Sequence, residues 1–183
     1  EGIPANAPSF FFGDRCVLPY AESFDDVSSL GRYTVTDANG DGSTWEYDDT
    51  EHCLHYKYHN VNDADDWAVT PAIEMPGDYM IELSFDAWCR TSTYPEEIEV
   101  TLGSGDPLSQ SRILLARTTI DNSLPQTRKI GFTVPEGRYT VGFHATSGAN
   151  NYYLYVDNVR LEAGIRRQVP GPVSQLTAIP APE

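Results

Sequence analysis

Tyr79-Met80-Ile81-Glu82-Leu83-Ser84-Phe85-Asp86-Ala87-Trp88-Cys89 is the stretch whose reading decides the fold class. Tyr79, Ile81, Leu83 and Phe85 fall on one side of an extended chain, and Met80, Glu82, Ser84 and Asp86 on the other. Side chains alternate across a strand, so a period of two marks a strand with one buried face. Residues 52–58 repeat the pattern, with Leu54, Tyr56 and Tyr58 against Cys53, His55 and Lys57. Residues 67–73 are extended, and Pro71 within them signals an edge or a bulge. Residues 98–102, 112–120, 129–134, 139–145 and 152–161 read as further strands. Earlier, residues 15–18 and the region around Phe24 are short strands parted by Pro19. Turn signals separate them, among them Pro76-Gly77-Asp78, Gly103-Ser104-Gly105-Asp106-Pro107, Glu136-Gly137 and Ser147-Gly148-Ala149-Asn150-Asn151. Residues 108–115 are the one place with room for a helix. Many short strands with Gly and Pro between them mean an all-β antiparallel sandwich or barrel without substantial helix.

Composition narrows the function classes. The chain of 183 residues suits one sizeable domain with tails, and 40% hydrophobic residues are enough for a core. A net charge of −15 argues against nucleic acid, because no Lys/Arg surplus exists to displace counterions, and against docking on anionic membranes. No apolar run approaches the ~20 residues that span a bilayer. The three cysteines, Cys16, Cys53 and Cys89, lack the spacing of a zinc knuckle. They are read as three buried thiols, or as one disulfide with an orphan. The start of the chain carries neither a positive n-region nor an apolar h-region, so a leader is expected to have been removed, or the chain to be a piece of something longer. Residues 1–14 read as an extension in which Phe10, Phe11 and Phe12 need cover, residues 15–164 as the module, and residues 165–183 as a Pro-rich linker opening a next module.

The strongest chemical signal lies in residues 25–51, an acidic, turn-rich stretch that reads as one long loop. Asp37, Asn39 and Asp41 stand at every second position, followed by Gly42, and Asp48 stands where a calcium loop has its twelfth residue. Short oxygen-bearing side chains at this spacing wrap one hard cation, with glycine relieving the turn. The twelfth position normally holds Glu and no helices flank the loop, so it is not an EF-hand. An Asx-turn cluster without metal is the alternative. Asp25, near an early strand, and Asp157, inside the last, form a second carboxylate set if first and last strands lie side by side.

Other constellations are weaker. Cys53, His55 and His59 are a conceivable zinc or copper set, but a flat strand converges three ligands poorly. No nucleophile elbow is present, and His144, Ser147 and Asp157 make a triad only on paper. No catalytic residue is assigned. Trp67 and Trp88 read as core, whereas Trp45, Tyr94, Tyr152 and Tyr153 lie in or beside loops and suit sugar stacking or loop packing.

Several blocks together resemble a known family. Leu18-Pro19-Tyr20-Ala21-Glu22-Ser23-Phe24-Asp25, the loop from Asp37 to Trp45, Asp65-Asp66-Trp67-Ala68-Val69-Thr70-Pro71-Ala72-Ile73, and Tyr155-Val156-Asp157-Asn158-Val159 occur in that order. Over about residues 16–163 the chain is similar to the cleaved-adhesin and choice-of-anchor J modules of bacterial surface proteins, including the adhesin domains of gingipains. Ala68 departs from the larger aliphatic residue usual there. The resemblance implies a jelly-roll β-sandwich of galactose-binding or lectin-like type, structural Ca2+, and no catalysis of its own. It also implies a secreted or cell-surface bacterial location, a glycan or a host or matrix protein as partner, and neighbouring modules of fibronectin type III type. A ligand-free spacer beside a catalytic domain is the alternative, and a hydrolase a more distant one.

Overall fold

A computed structural model describes residues 11–12, 15–104 and 109–166. In chain order its strands are β1 (Phe11–Phe12), β2 (Arg15–Val17), β3 (Tyr20–Glu22), β4 (Thr34–Asp37), β5 (Trp45–Asp48), β6 (Cys53–Lys57) and β7 (Asp66–Val69). They continue as β8 (Ile73–Met75), β9 (Tyr79–Cys89), β10 (Glu96–Gly103), β11 (Gln110–Ile120), β12 (Gln126–Phe132), β13 (Gly137–Ala145) and β14 (Tyr153–Arg166). The alternating stretch is thus realised over its full length as β9.

Two sheets stack as a jelly-roll β-sandwich. One runs β1-β2-β8-β13-β10-β11, with β7 also on β13 and β4 on β7. The other runs β12-β9-β14-β6-β5, with β3 on β14. Early and late strands therefore do lie side by side, Val159 opposite Glu22 and Leu161 opposite Tyr20. Pairing is antiparallel apart from β2 with β8. Ile81, Leu83 and Phe85 of β9 are wholly buried, as are Leu54, Leu154 and Val156 beside them, and they face Ile98, Val100, Val141 and Phe143 of the other sheet. Phe85 and Phe143 meet edge to face across the sandwich, centroids 5.2 Å apart at 75°. A register shift after Asp157, where Asn158 takes φ 51°, turns β14 by one residue. Val159 and Leu161 then point inward where strict alternation would aim Asn158 and Arg160.

Several expectations need correction. Residues 25–51 are not one long loop. Val27–Arg32 form a 3-10 helix capped by Asp26, whose carboxylate accepts from Ser28 N at 2.7 Å, and β4 and β5 follow. Residues 110–115 are strand, because β11 pairs with β10 along its length. Trp67 is not core: it is half-buried on the outer side of the eight-stranded sheet, stacked on His144 at 3.9 Å. Trp88 is buried, but in a separate small cluster with Cys53 and Tyr155. All three cysteines are buried and free. Phe11 and Phe12 form β1 against β2, whereas Phe10, residues 1–9 and residues 167–183 lie outside the described residues.

Two measurements follow from this packing. Phe85→Ala and Phe143→Ala should each cost about 3–5 kcal/mol in urea unfolding, and the double variant less than the sum because the rings touch. Additive costs would show that the rings do not pack as described. A thiol reagent should leave the native protein unmodified and titrate all three cysteines only after unfolding; rapid native labelling would contradict their burial.

Candidate functional site

The loop between β4 and β5 is organised by its first carboxylate. Asp37 Oδ1 accepts from Gly40 N at 2.6 Å and Asp41 N at 3.2 Å, and Oδ2 accepts from Gly42 N at 2.9 Å. Gly40 and Gly42 sit at φ 71° and 86°, which residues with a Cβ resist, so the glycines make this wrap possible. The Gly42 amide first, then those of Gly40 and Asp41, holds the Asp37 carboxyl below its ordinary range. Asp41 Oδ1 accepts from Ser43 N at 2.8 Å, and Asn39 Nδ2 donates to Asp63 O at 2.8 Å and to Asp41 Oδ2 at 3.2 Å. The structure thus brings Asp37, Asn39 and Asp41 together. Asp48 is elsewhere, at the end of β5, where its Oδ1 accepts from Thr50 N and Glu51 N at 2.8 and 2.9 Å. Strand geometry explains the parting: Trp45 at the start of β5 turns inward and the chain runs away from the loop.

Beneath the loop lies a carboxylate that pattern reading missed. Asp66 opens β7 directly opposite Asp37 on β4 and is completely buried. Its Oδ2 accepts from Asp65 N at 3.2 Å, but Oδ1 has no partner. Burial, with added repulsion from Asp37 and Asp41, pushes the Asp66 carboxyl up to about 7. The Thr44 hydroxyl lies beside it and favours its charged form, and the Tyr56 hydroxyl nearby is buried and unpartnered. Among the described residues, no three His, Cys, Asp or Glu side chains form a ready-made metal cluster, so neutral oxygens would have to complete any site here.

Asp157 lies at the seam of early and late strands, with exposed Asp25 near enough to act on its charge. Asp157 stands opposite Asp86 across β14 and β9. Asn158 Nδ2 bridges the two, 3.2 Å from Asp157 Oδ2 and 2.9 Å from Asp86 Oδ2. Burial first, then Asp86, Asp25 and Glu22, raises the Asp157 carboxyl to about 7. Glu22 itself is buried and paired with Arg32.

The outward face of the six-stranded sheet is aromatic. Register places Glu46, His55, Tyr155 and Trp88 in one row across β5, β6, β14 and β9. Tyr153 stacks on Tyr155 at 6.0 Å and Tyr155 on Trp88 at 5.1 Å, while His55 sets its edge against Tyr153 at 5.5 Å. A cleft of about 420 Å³ opens over this face, lined by Tyr152, Tyr153, Tyr155, Glu46, Asp48, His55, Lys57 and Arg90 among others. Tyr152 is 37% and Tyr94 49% exposed at its rim, with ring centroids 6.3 Å apart. Buried Glu96 fixes the rim by accepting from Tyr152 N at 2.6 Å. Of the four aromatics proposed from sequence, Tyr152 and Tyr153 line the cleft and Tyr94 adjoins Tyr152. Trp45 does not: it is 1% exposed and its Nε1 donates to Asp66 O at 3.0 Å, so the indole is core rather than a stacking surface. Tyr155, His55 and Arg90 were missed because only the pairing of β14 with β6 and β9 puts them beside Tyr153.

The other proposed constellations do not assemble. His59 lies beyond β6, where its Nδ1 accepts from Val61 N and Asn62 N, away from Cys53 and His55. His144 bonds Asp65 at 2.8 Å and Ser147 donates to Glu97 O, both far in the topology from Asp157 on the other sheet.

Comparison with solved structures places this geometry. The K1 cleaved adhesin domain of Lys-gingipain from Porphyromonas gingivalis W83 superposes with TM-score 0.65 at 19% identity, over 79% of this chain and 97% of that one. The fold is that of a cleaved adhesin domain. The K3 domain of the same protein gives TM-score 0.64 at 18% identity, covering 78% and 96%. The CBM22-2 xylan-binding domain of Xyn10C from Paenibacillus barcinonensis gives 0.55 at 14% identity, covering 79% and 99%. No protein-family model and no curated protein sequence matches the chain.

His55 supplies a pH dependence. Burial pulls it below the ordinary imidazole range, opposed by Asp48 and Glu46. The unfolded chain therefore takes up this proton first as pH falls, so His55 contributes a loss of stability below about 6.5, opposed by the gain from Asp66 and Asp157, whose raised carboxyls are protonated first in the folded state. His55→Gln should flatten that part of the curve in urea titrations between about pH 7 and about pH 5.5; an unchanged slope would assign the acid sensitivity to other groups.

Proposed function

We propose that this chain is a non-catalytic, calcium-stabilised module for adhesion or glycan binding within a larger exported bacterial protein, and that the tyrosine-lined cleft is its recognition surface. The cleft is the observation that carries the reading. Sugar rings present flat C–H faces rimmed by hydroxyls, and a site for them needs aromatic planes with a few fixed polar groups beside them. Tyr152 and Tyr153 offer the planes, and Glu46, Asp48, Lys57 and Arg90 the donors and acceptors. Glu96 holds Tyr152 before any ligand arrives, which lowers the ordering cost of binding. The cleaved adhesin and xylan-binding neighbours support the same reading. No helix among the described residues is long and apolar enough to cross a membrane.

Calcium belongs to this proposal as a stabiliser. Asp37, Asn39 and Asp41 offer oxygen only, the chemistry a hard cation prefers, and unpartnered Asp66 Oδ1 is a buried oxygen awaiting positive charge beside them. A bound cation would offset the mutual repulsion of these carboxylates.

The test is an array of plant, bacterial and host glycans and matrix proteins, followed by calorimetry on any hit. Tyr152→Ala and Tyr153→Ala should each weaken binding about tenfold, equivalent to about 1.4 kcal/mol, with circular dichroism unchanged. Silence across the array would favour a spacer that holds a neighbouring domain off a surface.

A further inference from the structure

Strand register sorts the charges of the tyrosine-lined cleft into two ends. On the outer side of the six-stranded sheet, Lys57 stands opposite Tyr153 across β6 and β14. On the other flank of β14, Arg90 N donates to Tyr153 O at 3.0 Å, so Arg90 takes the matching place just past the end of β9. A cation thus flanks Tyr153 on either side, each one strand spacing, about 4.8 Å, away. The next row along the sheet holds Glu46, His55, Tyr155 and Trp88, and the row after it begins with Asp48 and Cys53. Both cations of the lining therefore share the row of Tyr153, beside the rim, and both carboxylates lie in the rows beyond it.

Neither cation is committed to the protein. Lys57 is exposed and has no ion pair or hydrogen bond among the described residues, in a chain with 27 acidic side chains against 12 basic ones. Arg90 Nη1 lies 3.3 Å from Glu51 Oε1 and 3.4 Å from Tyr155 Oη, and half of its side chain is exposed. An exposed ion pair of this kind contributes little, so a ligand carboxylate can replace Glu51 at the guanidinium. Beside the cations the Tyr152 and Tyr153 rings meet at 5.0 Å and 68°, which makes an aromatic corner.

We infer that the cleft recognises acidic glycans, with a sugar ring against the Tyr152–Tyr153 corner and its carboxylate held at the rim by Lys57 and Arg90. This rests on the reading of the cleft as a glycan site and adds the class of sugar. A uronic-acid ring offers C–H bonds to the aromatic planes and projects a carboxylate from its edge, where the flanking strands place the cations. Lys57 meets that group as a point charge and Arg90 through its planar fork. A carboxylate displaced toward Glu46 and Asp48 is repelled, so the charge layout also sets which end of the ligand lies at the rim. The net charge of −15 acts on a polyanion at long range, but it is screened beyond about 8 Å at physiological salt, so the groups in contact decide. The competing explanation is a neutral glycan to which Lys57 and Arg90 only donate hydrogen bonds.

Calorimetry at physiological salt on matched pairs separates the two: oligogalacturonate against its methyl ester, and oligoglucuronate against its carboxyl-reduced form. At least one acid should bind about tenfold tighter than its neutral partner. Lys57→Gln and Arg90→Gln should each weaken the acid about tenfold and leave the neutral partner unchanged. Lys57 holds no other side chain, so its loss has no structural route to that result. Glu46→Gln should tighten the acid by removing a like charge from the next row. Equal affinity for acid and neutral forms, hits on the wider glycan array confined to neutral sugars, or equal losses on Lys57→Gln for both forms would overturn the acidic assignment and leave the cleft a glycan site. A preference for chitosan oligomers would overturn it too, by giving recognition to Glu46 and Asp48. If no glycan of any kind binds, the acidic assignment and the glycan reading of the cleft fail together.

Discussion

Strand β14 is hydrogen-bonded on both flanks, and both surfaces of the six-stranded sheet depend on that constraint. β9 lies on one side; β6 and β3 share the other. One strand can carry a core face and an aromatic outer face only if its register is held against slippage, since a slip of one residue exchanges the two faces. Pairing along fourteen residues does so. Leu154 and Val156 are driven inward, and Tyr153 and Tyr155 point to the other side of the sheet, where Tyr155 is buried beside His55 and Trp88. The bulge at Asp157–Asn158 then resets the alternation, so that the second half of β14 buries Val159 and Leu161 against the region where β3 closes the sandwich.

The two candidate sites divide the work that such a module has to do. Tyr153 and Tyr155 of the cleft stand on the central strand β14, and Glu96 pins Tyr152 at its rim. The loop over Asp66 is held mainly by its own amides and by carboxylates that repel one another. Trp45 links the two. It spans the core beside Tyr56 and bonds the Asp66 backbone, so the loop's anchor and the inner face of the cleft's sheet share one side chain.

Structural likeness at 19% identity or less to adhesin and xylan-binding domains fits a fold that tolerates almost any outer residue. What such a sandwich requires is alternation and a few turn residues, while the outer faces and loops are free to take on different ligands.

Much of the architecture was legible in the chain itself. The period of two in residues 79–89 marks its strand to the residue, and Leu54 and Tyr56 fall inward as their spacing demands, because alternation is a local property of extended backbone. The Asp37 loop is equally local: its carboxylate binds amides three to five residues ahead, so spacing alone brings Asp37, Asn39 and Asp41 together. Tertiary structure decided the rest. Asp66 joins that loop from 29 residues further along the chain only because β4 pairs with β7. Asp48 leaves it because β5 departs toward the opposite sheet. Trp45 is core, and Tyr155, His55 and Arg90 are neighbours of Tyr153, for the same reason: local pattern says which residues share a face, but only long-range strand pairing says which faces meet and what covers them.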